Sequence, residues 1–502
     1  MTAGILDNSP QWQPRFIVIG AGMAGILAAI KLHERGFGNV AIYEKAQRVG
    51  GTWRENTYPG IACDVPSHVY SYSFAPNPDW SYRFAPGAEI QAYFEDVAER
   101  HGVAARVRFG REVVSCAYEQ GRWRVTLDDG TVDDGDFIIA ATGVLHHPHQ
   151  PHFEGLENFA GAAFHSARWD HGVELKGKRV GVIGTGSSAV QIVSALASEV
   201  GELVLFQRTP QWVIPIENPA YDEREKAEFR DNPQAIADVC RRVRRAYVDG
   251  FANILGEADS PILQGLHDAC VANLENSVRD PQLREKLRPD YRAGCKRLVL
   301  SDGFYAAVQQ PHVRVVTEGI ERIEQSGVRT GDGQRHDIDV LVLATGFRVD
   351  RFLRPMAVTG RDGRTLDEAW GETPTAYMSV TIPGFPNLFM LNGPNSPVGN
   401  FPLIDVAEMQ FDYIMQLVDR LREDNSRAIE VSGDAMARFN EGRQEAASST
   451  IWNTGCRSWY IAADGLPMAW PWTFDQFRSE MGNPRFNDYG LPSGRATEVV
   501  NG

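Results

Sequence analysis

A chain of 502 residues is too long for one core, and with 43% hydrophobic residues it has the apolar side chains to fill two or three. Its 50 basic and 65 acidic residues leave a formal charge of −15, which excludes a general nucleic-acid surface or an anionic-membrane surface. No apolar run reaches the ~18 residues that a membrane span needs, and Gln11-Trp12-Gln13-Pro14 lacks the basic and apolar regions of a secretory signal.

The first predicted element is a buried strand, Phe16-Ile17-Val18-Ile19. It runs into Gly20-Ala21-Gly22-Met23-Ala24-Gly25 and then a helical pattern through Ile26, Leu27, Ile30 and Leu32. This strand, turn and helix is the setting that a dinucleotide fingerprint requires: Gly20, Gly22 and Gly25 let the backbone approach a pyrophosphate, and the helix start supplies N–H donors. A second strand, Val40-Ala41-Ile42-Tyr43, ends at Glu44, 19 residues beyond Gly25. A carboxylate there accepts ribose hydroxyls and repels a 2′-phosphate, so the first site prefers FAD or NAD to NADP.

Next stands Gly50-Gly51-Thr52-Trp53, followed by Tyr58-Pro59-Gly60, Asp64 and the aromatic run through Tyr70. Arg122 to Leu127, Asp129-Gly130 and Thr131 predict an exposed hairpin with a type I′ turn. The strand Asp136 to Gly143, ending Ala141-Thr142-Gly143, closes the unit, and Pro148 and Pro151 mark its boundary.

The stretch that follows carries Phe159, Gly161, His165, Trp169 and Asp170. These fill the pattern Phe-x-Gly-x-x-x-His-x-x-x-Trp-Pro/Asp, and Gly50 to Asp64 fill Gly-Gly-x-Trp-x-x-x-x-Tyr-Pro-Gly-x-x-x-Asp. On both, the chain resembles the type I Baeyer-Villiger monooxygenases over nearly its whole length. The resemblance implies that Thr52, Trp53, Asp64 and Tyr70 lie along a flavin. His165 reads as a structural tie between domains.

A second fingerprint follows the strand Val180-Gly181-Val182-Ile183, as Gly184-Thr185-Gly186-Ser187-Ser188-Ala189. Arg208 stands 19 residues beyond Ala189, the same offset as Glu44 from Gly25 but of opposite charge. A guanidinium grips a 2′-phosphate with two parallel hydrogen bonds, so this site is expected to hold NADPH. The resemblance adds Gln191, Thr209 and Lys296 as NADP contacts. Gly327 to Gly333 reads as another hairpin, and Asp339 to Gly346 repeats the Ala-Thr-Gly strand, so one architecture occurs twice.

Between the halves of the second unit, Pro219 to Pro289 has helical spacing at Ile236, Val239, Val243 and Val248. It predicts a helical insert whose run Arg241-Arg242-Val243-Arg244-Arg245 is a solvated face. Lys296-Arg297 follows. By resemblance Arg297 is the cation over the flavin, paired with Asp64; an arginine keeps its proton, so it can stabilise a peroxide anion and an alkoxide. In the last third, Val406, Met409, Ile414 and Val418 have helical spacing, and the loop through Val398-Gly399-Asn400-Phe401 is expected to touch substrate. Trp459 of Ser458-Trp459-Tyr460 resembles the family's nicotinamide-ribose contact, with Trp452 and Trp470 as candidate pocket walls. Ala462-Ala463-Asp464-Gly465 departs from the cyclohexanone-type pattern.

The expected fold is α/β, with two Rossmann-like dinucleotide-binding domains, for FAD and NADPH, and a helical insert in the NADP domain. Boundaries read as residues 1–150 for the first part of the FAD domain, 151–218 and 291–384 for the NADP domain, 219–290 for the insert and 385–502 for the rest of the FAD domain. The implied activity inserts an oxygen atom from O2 beside a ketone carbonyl through a C4a-peroxyflavin. An N- or S-oxygenating flavin monooxygenase is the alternative, and a non-enzymatic NADP(H) sensor a further one. Cys63, Cys116, Cys240, Cys270, Cys295 and Cys456 form no Cys-x-x-Cys pair, which predicts free thiols in the cytoplasm and no metal site. The partners expected are a small ketone and O2, with no nucleic acid and no membrane, for a monomer or homodimer.

Overall fold

The computed structural model describes residues 12–252, 260–397, 401–454, 461–462, 465 and 467–490. The first unit opens with β1 (Phe16–Ile19), α1 (Met23–Glu34), β2 (Val40–Glu44), α2 (Thr52–Glu55), α3 (Gly87–Arg100) and β3 (Val107–Phe109). A hairpin sheet of β4 (Val113–Glu119), β5 (Arg122–Leu127) and β6 (Val132–Gly135) then leads to β7 (Phe137–Ala140). The second unit holds β8 (Ala162–His165), β9 (Arg179–Ile183), α4 (Ser187–Leu196), β10 (Glu202–Phe206) and β11 (Val213–Ile214).

The insert is α5 (Glu223–Asp231), α6 (Pro233–Ala246), α7 (Pro261–Ser277) and α8 (Pro281–Lys286). The chain returns through β12 (Val299–Leu300), α9 (Phe304–Ala307), β13 (Val313–Val316), the meander β14 (Ile320–Glu324), β15 (Gly327–Thr330) and β16 (Arg335–Asp337), and β17 (Val340–Leu343). Next come β18 (Ala357–Thr359), α10 (Leu366–Trp370), β19 (Leu388–Met390), α11 (Leu403–Glu423), α12 (Gly433–Ser448) and α13 (Phe474–Gly482).

Two parallel five-stranded sheets form the framework, ordered β19-β7-β1-β2-β3 and β13-β10-β9-β17-β8. β1 and β9 occupy equivalent central places, as do β2 and β10, β3 and β13, and β7 and β17. This is the internal repeat expected from the two fingerprints. β1, β7 and β17 are buried at every residue, because helices cover one face of each parallel sheet and an antiparallel sheet, β4–β6 or β14–β16, covers the other, leaving no alternate position for a polar side chain.

The two hairpins share one turn, and it is not the type I′ turn expected at Asp129-Gly130. Gly130 N donates to Leu127 O at 3.0 Å and Leu127 N to Thr131 O at 2.9 Å; Gly333 N donates to Thr330 O and Thr330 N to Gln334 O, both at 2.9 Å. Positive φ falls on Gly130 (82°) and Gly333 (80°) alone in these turns, which fits a longer loop with one left-handed glycine.

Two packing features go beyond the expected boundaries, and one expectation, that of free thiols throughout, is corrected. β18 pairs with β4, so the chain is already beside the first unit before residue 385. The insert serves both units: Phe229, Ile236 and Cys240 join the first core, whereas Cys270 and Leu274 join the second. Cys63, Cys116, Cys240 and Cys270 are free and buried, but Cys295 is disulfide-bonded; Cys456 lies outside the described residues. Among the described residues no helix is long and apolar enough to cross a membrane.

Candidate active site

The loops after β1 and β9 open onto one cleft of about 1460 Å³. Gly20, Gly22, Gly184, Gly186, Ser187 and Ser188 line it. A Cβ at Gly186 would meet nothing within 4 Å, which leaves open space over the start of α4, where a phosphate can meet free N–H groups. Gly25 has another purpose. A Cβ there would lie 1.9 Å from Gly20 O, so this glycine lets α1 pack against its own loop.

Glu44, only 6% exposed, ends β2 at the rim of the cleft. Its carboxylate accepts from Ala21 N at 2.8 Å, Ala46 N at 2.9 Å and Arg54 Nη1 at 3.2 Å. The charge is thus held in place by donors from three segments. Arg208, at the equivalent end of β10, is exposed and makes no ion pair among the described residues. Thr209 and Lys296 lie in the same wall, and Lys296 Nζ stands 4.3 Å from the centroid of the Tyr291 ring. Burial lowers the Lys296 pKa, and the nearby Arg208 lowers it further.

Deeper in the cleft, Arg297 meets Asp64 across the two units: Nε donates to Oδ2 at 3.1 Å, and Nη2 donates to the same oxygen. Their side chains are 33% and 27% exposed, so both can face a ligand. Thr52, Trp53 and Tyr70 line the first unit's side, with Trp53 Nε1 donating to the Tyr70 hydroxyl at 3.0 Å. Burial pushes the Tyr70 pKa well up, so the hydroxyl stays protonated. The Tyr247 hydroxyl donates to Asp64 O at 3.4 Å, bringing the insert to the same place.

Gln191 is committed to domain packing. It accepts from the Tyr58 hydroxyl at 2.9 Å and donates to Ala62 O at 3.0 Å, while Gly60, at φ 81°, leaves no room for a Cβ, which would sit 2.7 Å from Gln191 O. His165 is 1% exposed; its Nε2 donates to Gly346 O at 3.1 Å and its Nδ1 accepts from Ala167 N at 3.0 Å. Burial lowers its pKa to about 4, so the ring is neutral and structural, as the sequence suggests. Trp459 and residues 398–400 lie outside the described residues, although Phe401 does line the cleft. Trp470 and Trp452 are not cleft walls: Trp470 packs on Phe439, Trp472 and Phe477, and Trp452 joins a core cluster with Leu263 and Ile451.

The model of the flavin-binding monooxygenase-like family matches residues 13–222. An uncharacterized monooxygenase of Mycobacterium tuberculosis is 47% identical over 483 residues, covering 95% of this chain and 96% of that one. A Baeyer-Villiger monooxygenase of Streptomyces coelicolor is 40% identical over 474 residues, covering 93% and 90% of the two chains. The chain belongs to the Baeyer-Villiger monooxygenases. A crystal structure of OTEMO in complex with FAD and NADP superposes with a TM-score of 0.87 at 28% identity, covering 96% of this chain and 100% of the other.

For a Baeyer-Villiger monooxygenase, the cleft holds two features that the motifs leave unnamed. Arg54 bridges Glu44 and the neighbouring Glu55. His146, His147 and His149 line the cleft where the chain first crosses between units. The available signals were a charged pair directly after Trp53 and a histidine run at a domain boundary; neither says what it touches.

Proposed function

We propose that the protein uses NADPH and O2, with FAD, to insert one oxygen atom beside a ketone carbonyl, giving an ester or lactone. FAD is assigned to the first unit, through Gly20, Gly22, Glu44, Thr52, Trp53, Asp64 and Tyr70, with Gly25 packing α1 behind the loop. NADPH is assigned to the second, through Gly184, Gly186, Ser187, Ser188, Arg208, Thr209 and Lys296, with Trp459 of the last third as a further contact. The lining fits both: the cleft is continuous across the units, has open space at Gly186, and presents a carboxylate at one second-strand end and a guanidinium at the other.

When bound, the flavin passes electrons from NADPH to O2 and delivers one oxygen atom to the substrate. The observation that carries the reading is the Arg297–Asp64 pair inside that cleft. Arg297 keeps its charge and supplies donors wherever negative charge develops on oxygen, so it stabilises the anion of the oxidant and the alkoxide formed at the carbonyl. Asp64 orients the guanidinium and tempers its field. Neither residue acts as a general base.

The substrate is assigned as a small ketone, and the protein as a cytoplasmic monomer or homodimer. Product analysis with a ketone and a thioether, in the wild type and Arg297→Ala, tests the reading. Ester formation in the wild type that disappears on substitution is expected. Thioether oxidation with no ketone turnover in the wild type overturns it.

A further inference from the structure

Glu55 lies two residues beyond Trp53, at the end of α2, with a side chain 9% exposed. Arg54 Nη2 donates to its Oε1 at 3.1 Å, His146 Nδ1 lies 3.0 Å from Oε2, and Arg168 Nη1 lies 3.8 Å from the same oxygen. Burial alone would raise the pKa of this carboxyl, yet His146, Arg168 and Arg54 together hold it below the usual carboxylate range. It is therefore a fixed anion through the neutral range.

His146 belongs to one of the two segments that join the units, and that segment is bonded to the other. Residues 143–151 cross from the first unit to the second, and residues 346–355 cross back. The crossings bond to each other, His149 N to Gly346 O and Arg348 N to His147 O, each at 2.8 Å, with Pro148 opposite Phe347. His165 donates to that same Gly346 O, so the end of β8 belongs to the assembly. Arg168, three residues later, comes back to Glu55.

We infer that Glu55 is a positioning residue: it fastens the paired crossings and the His165–Arg168 segment to the loop carrying Trp53, and so sets where the second unit sits relative to the flavin site. The inference rests on the proposed function, because a hydride must cross between the units. Breaking one buried anchor shifts a whole domain edge, and a misplacement of about 1 Å can cost about 100-fold in rate.

The test uses the FAD-loaded full-length protein. In Glu55→Gln, anaerobic flavin reduction at saturating NADPH is expected to slow about 10-fold. Less product should form per NADPH consumed, and hydrogen peroxide should rise, with FAD content and Tm close to wild type. Glu55→Asp should recover part of the rate. His146→Ala should change the rate in the same direction, and the double variant Glu55→Gln/His146→Ala should be no worse than the more impaired single variant, because both remove one interaction. Wild-type reduction rate and coupling in Glu55→Gln overturn the assignment, as does additivity in the double variant or a loss of Tm with normal kinetics per bound flavin. A wild-type protein that NADPH cannot reduce overturns the functional reading and this assignment with it; wild-type turnover beside an unaltered Glu55→Gln overturns the assignment alone.

Discussion

At the scale of single residues, charge placement decides the chemistry. Arg297 is held by Asp64 from the other unit, so its position depends on how the units meet as well as on its own backbone. Arg297→Ala should lower ketone oxygenation by about 100-fold or more, the usual cost of losing an oxyanion donor. Anaerobic reduction by NADPH, followed at the flavin absorbance, should persist. Arg208 is exposed and free of ion pairs among the described residues, so its role can be removed without unfolding the chain. Arg208→Ala should raise the KM for NADPH by about 10- to 100-fold, the worth of one charge-assisted contact, and leave the KM for NADH nearly unchanged. Steady-state kinetics with both nucleotides reads the difference.

At the scale of elements, the glycines show which parts of a motif meet ligand and which meet protein. Gly161 belongs to the segment that carries the family resemblance, yet its constraint is packing. A Cβ there would lie 2.2 Å from Asp339 O and 2.8 Å from the Phe159 ring. Gly161→Ala should therefore destabilise the second unit by about 1–3 kcal/mol through overpacking, measurable by thermal unfolding of the FAD-loaded protein. Local spacing revealed the two strand-turn-helix loops, because apolar periodicity and glycine placement are properties of a short stretch. It could not reveal that Gln191 would be spent on Tyr58 and Ala62, partners more than 120 positions away. The type I′ turn expected at Asp129-Gly130 failed for a related reason: the dipeptide is compatible with several loops, and the register of β4, β5 and β6 selects one.

At the scale of the whole molecule, burial of neutral histidines sets an acid limit. Burial lowers His68, His147 and His165 to about 4 from an ordinary 6.5. Between these values the unfolded chain binds protons that the folded chain refuses. Their contribution is therefore complete above about 6.5 and is lost as the pH falls toward 4. Tm should drop through this window. His68, packed against Tyr221 and Phe229, offers the control: His68→Leu should make the descent shallower, because the replacement has nothing to protonate.

The sequence by itself determined the two nucleotide folds, the opposite charges at their second-strand ends, and the identities of Arg297 and Asp64. The folds and the charges follow from residue type and short-range spacing, which the chain carries whatever it packs against; Arg297 and Asp64 follow from the resemblance that the motifs carry. Only the tertiary structure decided that Gln191 is spent between the units, that Trp470 is core, that the insert packs on both units, and that Glu55 meets His146 on the first crossing. Those outcomes depend on which surfaces are pressed together once two sheets have formed. Burial and charge pairing act on distance in space, and separation along the chain does not report it.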